Sequence, residues 1–164
     1  MSTSAPTSTM TADYVNPVIS ATKDVFEMML GCTPKRSGLQ LKGADTPSHD
    51  ISAVIGVSGS SSRGTIVLSF SKSVAIQALE RILGTVVSEI NAEVCDAVGE
   101  LANMVAGSAK AQLAHLDLSI GIPNIVVGPN HRVVYSSEMQ PICILFTSEI
   151  GEFLIEVGFT RNGI

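Results

Sequence analysis

Residues 91–114 read NAEVCDAVGELANMVAGSAKAQLA, and the arrangement of the rest of the chain follows from this stretch. Asn91 has the short polar side chain that caps a helix N-terminus, and Glu93 and Asp96 place negative charge where the helix dipole favours it. The pattern predicts a long helix. At about 100° per residue, Val94, Val98, Leu101, Ala102, Val105 and Ala109 fall within one arc wide enough to pack on a sheet. The opposite arc holds Asp96, Gly99, Glu100, Asn103, Gly107 and Lys110, so Glu100 and Asn103, three apart, stand side by side. A glycine inside a helix costs about 1 kcal/mol relative to alanine. Gly99 and Gly107 on this polar face therefore imply a close approach, either by another molecule or by a neighbouring loop of the same chain.

Upstream, Asn16-Pro17 combines a capping residue with a proline at the first helical position, which predicts a helix over 17–30. Val18, Thr22, Val25 and Met29 form its inner face, widened by Ile19 and Phe26, and Gly31 ends it. Residues 1–13, rich in Ser and Thr, have too little apolar surface to offset ordering and are expected to be a disordered tail before a single domain spanning 14–164. Short apolar runs at Leu39 to Leu41, Ile51 to Val57 and Thr65 to Phe70 predict strands. The Gly59-Ser-Ser-Ser-Arg63-Gly64 loop suits a hairpin between the last two. Ser73 is a suitable cap for a helix carrying Ala75, Ile76, Leu79, Ile82 and Leu83 inward, with Gly84 as its stop. Downstream, Leu116 to Val127, His131 to Ser136, Pro141 to Thr147 and Phe153 to Phe159 are β-rich. Strands grouped between helices and joined by hairpins predict an α+β fold, a largely antiparallel sheet with long helices packed on it, rather than a doubly wound parallel sheet.

Composition excludes several functions. The 164 residues are 45% hydrophobic, and 10 basic against 15 acidic residues without a Lys/Arg cluster leave no footprint for nucleic acid or an anionic membrane. No apolar run approaches the ~18 residues of a membrane crossing, and the first positive charge is Lys23, so no secretory or transit signal is expected and the location expected is cytoplasmic. Cys32, Cys95 and Cys143 are too scattered for a disulfide framework or a zinc site, and His49, His115 and His131 sit in unrelated segments, so no metal site is expected. The glycine-serine loop lacks a Walker lysine and a following helix, and Gly56-Val-Ser58-Gly59-Ser60 lacks the final glycine of a hydrolase elbow.

The run Asp96-Ala-Val-Gly99-Glu100-Leu-Ala-Asn103-Met104-Val-Ala-Gly107-Ser-Ala-Lys110 resembles the CheX branch of the CheC/CheX/FliY chemotaxis phosphatases. Asn16-Pro17 with Val25-Phe26, Gly56-Val-Ser58-Gly59, Arg63-Gly64, Ile122-Pro123 and Gly151-Glu-Phe153 extend the resemblance over about residues 15–160. It implies a phosphatase with no cofactor of its own, acting on the phosphoaspartate of a phosphorylated CheY-like receiver domain that carries its own Mg²⁺. In that reading Asn103 and Glu100 are catalytic, Asn103 orienting the attacking water and Glu100 pairing with the regulator's lysine. Asp96, Gly99, Gly107 and Lys110 would line the partner-binding face, although a lysine near a helix C-terminus also complements the dipole. No other Glu begins a Glu-x-x-Asn motif, since Glu27, Glu80 and Glu138 lead to Leu30, Leu83 and Pro141, so one site per chain is expected. Ser108 stands where many relatives carry Asn. The resemblance also implies a homodimer formed by β-strand exchange. A non-catalytic regulator-binding or flagellar scaffold module of the same fold is the alternative.

Overall fold

A computed structural model describes the backbone of residues 5–161 and the side chains of 13–160. The elements run α1 (Ala5–Leu30), β1 (Lys35–Leu41), β2 (His49–Ser58), β3 (Ser62–Phe70), α2 (Lys72–Leu83), α3 (Ala92–Gln112), a 3₁₀ turn (Ala114–Leu116), β4 (Ser119–Ile120), β5 (Asn124–His131), β6 (Ile142–Thr147) and β7 (Phe153–Arg161). All strand pairings are antiparallel, in the order β1-β6-β7-β3-β2-β4, with β5 also paired to β2. This is the α+β fold expected.

The strands alternate, and one face of the sheet takes the helices. Ile51, Ala53, Ile55 and Val57 of β2, Ile66, Leu68 and Phe70 of β3, and Phe153, Ile155 and Val157 of β7 are buried there with the inner stripes of α1 and α3. Phe153 stacks on Phe26 at 4.6 Å and on Phe146 at 4.9 Å, while Phe70 meets it edge-on at 5.5 Å. These rings join α1 to three adjacent strands.

α1 differs from its expected boundaries. Its backbone is helical from Ala5, so Pro17 lies inside it and Asn16 is an exposed helical residue rather than a cap. The reason is tertiary: Tyr14 and Val15 are buried, and the Tyr14 ring stacks on Phe159 at 4.0 Å, which rewards extending the helix past the proline. The first four residues of the expected tail lie outside the described residues. The cap of α2 lies two residues before the expected Ser73, because Ser71 accepts from the Val74 N–H at 3.3 Å and Asp50 of β2 accepts from the Lys72 N–H at 2.7 Å. Gly84 ends it at φ 71°, as expected.

The sheet's other face mixes buried apolar residues such as Val67 and Leu154 with buried Ser52, Ser69 and Glu156, and irregular chain lies against it. Residues 132–136 are not the expected strand. Their apolar alternation reflects a segment that lies along the sheet, with Val133 and Tyr135 half-buried and Val134 outward, without ladder partners. On this face Glu156 is buried and ion-paired with Lys42, whose ammonium lies 5.5 Å from the centre of the Tyr135 ring. Nearby, His131 Nδ1 lies 2.8 Å from the Gly128 carbonyl and must donate to it, which in the neutral imidazole leaves Nε2 to accept from the Ser52 hydroxyl at 2.7 Å. The Ser69 hydroxyl completes the chain by donating to Ser52 at 2.7 Å.

His49, opposite His131 in the ladder, is the titrating group here. Burial first, then the neighbouring His131, Lys42 and Arg132 against the opposing pull of Asp50, lower its pKa to about 4. The folded state therefore binds its proton later than the unfolded chain does, and the stability present above pH ~6.5 is lost as pH falls toward 4. Urea unfolding at pH 7 and pH 4.5 is expected to show this loss, with a smaller pH dependence in His49→Gln. An equal pH dependence in the variant would rule out His49 as its source.

Candidate active site on helix α3

The helix that carries the site forms as its sequence dictates. Asn91 Oδ1 accepts from the Val94 N–H at 3.0 Å. The expected stripe of Val94, Val98, Leu101, Ala102, Val105 and Ala109 is buried throughout. Ala97 and Ala106 are buried too, because α1 packs along a second flank of α3 as well as the sheet. A helix clamped from two sides is a rigid support for whatever its remaining face displays.

That face opens on a cleft of about 630 Å³. One wall is α3, with Cys95, Asp96, Gly99, Glu100 and Asn103. The other is the chain between and around β4 and β5, with Ile120, Gly121, Ile122, Pro123 and Ile125. Asp96 and Glu100 are exposed and Asn103 is half-buried. Among the described residues no hydrogen bond or ion pair engages the side chains of Glu100 and Asn103. The pair thus offers one carboxylate and one amide, both uncommitted, to anything that enters the cleft.

The other expected site residues divide. Asp96 and Gly99 join the pair, whereas Gly107 and Lys110 lie further along α3 and do not line the cleft. Gly99 is buried rather than open to a partner. A Cβ there would lie 3.3 Å from Ile125 Cδ1, and one at Gly107 would lie 4.0 Å from Ile120 Cδ1. Gly99 therefore admits the chain's own β4–β5 segment, the second of the two possibilities that helical spacing leaves open, whereas a methyl at Gly107 would make only ordinary contact. Within the β-rich stretch over 116–127, that second wall is signalled only by Gly121 and Pro123, residues that interrupt a ladder.

No group of three or more His, Cys, Asp or Glu residues able to hold a metal occurs among the described residues. Cys32 and Cys143 are buried free thiols and Cys95 a partly exposed one. Burial and the adjacent Glu156 push the Cys143 thiol up to about 11, which keeps it protonated and inert at neutral pH. No described helix is long and apolar enough to cross a membrane.

An antiparallel sheet with helices layered on one face defines the chain as an α+β protein. Residues 51–147 match the family model described as chemotaxis phosphatase CheX. The chain belongs to that family. A curated relative, the CheY-P phosphatase CheX of Thermotoga maritima, is 28% identical over 127 residues, covering 76% of this chain and 81% of its own. The crystal structure of the chemotaxis protein CheX from Vibrio vulnificus is 31% identical with a TM-score of 0.85, covering 91% of this chain and 100% of its own. The CheX component of a CheX-CheY-BeF3-Mg²⁺ complex from Borrelia burgdorferi shares the fold at 18% identity and a TM-score of 0.69, covering 92% and 98% of the two chains.

Proposed function

We propose that this protein hydrolyses the phosphoaspartate of a CheY-like response regulator, with Asn103 and Glu100 entering the regulator's active site. The observation that carries the reading is the free carboxylate–amide pair on a doubly buttressed helix at the edge of an open cleft. Water attacks phosphorus in line, the bond to the aspartyl oxygen breaks, and inorganic phosphate leaves. The substrate brings its own Mg²⁺, which the Borrelia CheX-CheY complex contains, and, as the family resemblance implies, its own lysine, so this chain need supply only position. An amide suits that task because it donates and accepts hydrogen bonds and does not titrate, whereas a carboxylate beside a phosphoryl group is repelled. Asn103 orients the water. Glu100 pairs with the regulator's lysine and holds the complex together.

The reading gives the protein a cytoplasmic site of action and one active site per chain. It is tested by following loss of phosphate from a phosphorylated CheY-like receiver with and without the protein. Faster decay is expected; decay at the receiver's own rate would refute it, and stable binding without turnover would identify a scaffold instead.

The proposal includes a homodimer. β1 is an edge strand exposed on both faces along nearly its whole length, with Leu39 and Leu41 open to solvent. Such an edge invites pairing, and strand exchange with a second copy would cover it. Sedimentation is expected to give twice the chain mass; a monomer at tens of micromolar would exclude the exchange.

A further inference from the structure

The isoleucines of the cleft's second wall are used unequally. Ile120 and Ile125 pack onto the core beside α3, Ile125 in the space that Gly99 leaves. Ile122 between them lines the same cleft as Glu100 and Asn103, yet its side chain is 87% exposed. It is also held in place. β4 and β5 pair with β2 on either side of it, and the Gly121 N–H donates to the Gly56 carbonyl at 2.8 Å. Pro123 confines the preceding residue to extended backbone, and the β-branch of Ile122 leaves it few rotamers.

An apolar side chain already fixed in water gives up little freedom when a partner covers it, which is how a small contact comes to dominate an interface. A neutral polar side chain such as Asn103 gains little from burial, since it exchanges water for a partner group. On the reading that a phosphorylated receiver docks here, we infer that Ile122 is its apolar anchor, seating in an apolar patch beside the receiver's phosphorylated aspartate. Division of labour follows: α3 supplies the water-orienting amide and the charged contact of Glu100, and the Gly121–Pro123 break adds the apolar part of the affinity.

The anchor is tested by measuring dephosphorylation rates across receiver concentrations for wild type, Ile122→Ser, Ile122→Val and Val86→Ser. Val86 is 74% exposed but lies outside the cleft and serves as a control for exposed apolar surface. Ile122→Ser is expected to raise KM about tenfold with kcat within about twofold, Ile122→Val to restore most of the loss, and Val86→Ser to change neither. An unchanged KM in Ile122→Ser, or a fall in kcat alone, would overturn the anchor while leaving the phosphatase reading intact. Failure of the wild type to accelerate decay would overturn the reading on which the anchor rests.

Discussion

Asn103→Ala is expected to lower turnover of the phosphorylated receiver by about a hundredfold or more while leaving receiver binding within a few fold. The size reflects what positioning of the attacking water is worth. The substitution isolates that role unusually well. Asn103 makes no hydrogen bond within the described residues, and alanine is the better helix former, so the variant is expected to keep its stability. Glu100→Ala is expected to give the complementary result, weaker binding with turnover largely kept at saturating receiver. A time course of phosphate loss, paired with a binding titration, separates the two. Wild-type turnover in Asn103→Ala would remove the amide from the mechanism, and equal effects of both substitutions on binding would remove the division of roles.

The largest effect on stability is expected from a residue remote from the cleft. Gly64 of β3 pairs with Phe159 of β7, and a Cβ there would fall on the Gly158 carbonyl oxygen and within 2.5 Å of Phe159 Cδ1. The carbonyl is backbone and can give way only by opening the β3–β7 ladder, while the Phe159 ring is held against Tyr14 of α1. Gly64→Ala is therefore placed at the upper end of overpacking costs, about 3 kcal/mol, or a fall in Tm of roughly 10 °C. Gly128→Ala, where no atom lies within 4 Å of the added methyl, is expected to stay within about 0.5 kcal/mol of wild type. Thermal and urea unfolding read both. Similar stabilities for the two variants would show that the central ladder accommodates a side chain at Gly64.

What the sequence makes legible follows the range of the forces involved. The helix α3 is local in origin: its cap, its stripe and its side-by-side Glu100 and Asn103 all come from spacing along one segment, although Asn103 is half-buried rather than open to solvent. Boundaries set by distant partners are not legible in the same way. Tyr14 extends α1 because Phe159, from the last strand, lies beside it, and α2 begins early because Asp50 of β2 supplies an acceptor. The cleft follows the same rule. Glu100 and Asn103 are visible in periodicity, but the wall facing them is built by residues some 20 positions later, and only that wall explains Gly99.

The sheet order sets how far the two ends of the molecule can influence each other. From the open edge β1 to β4 there are five interstrand steps, roughly 24 Å at the usual spacing. The cleft sits at one extreme and the strand offered for exchange at the other. In a dimer joined through β1, the catalytic faces would occupy opposite ends of a continuous sheet. Each would have its own volume of solvent, so two bulky receivers could be served at once without colliding.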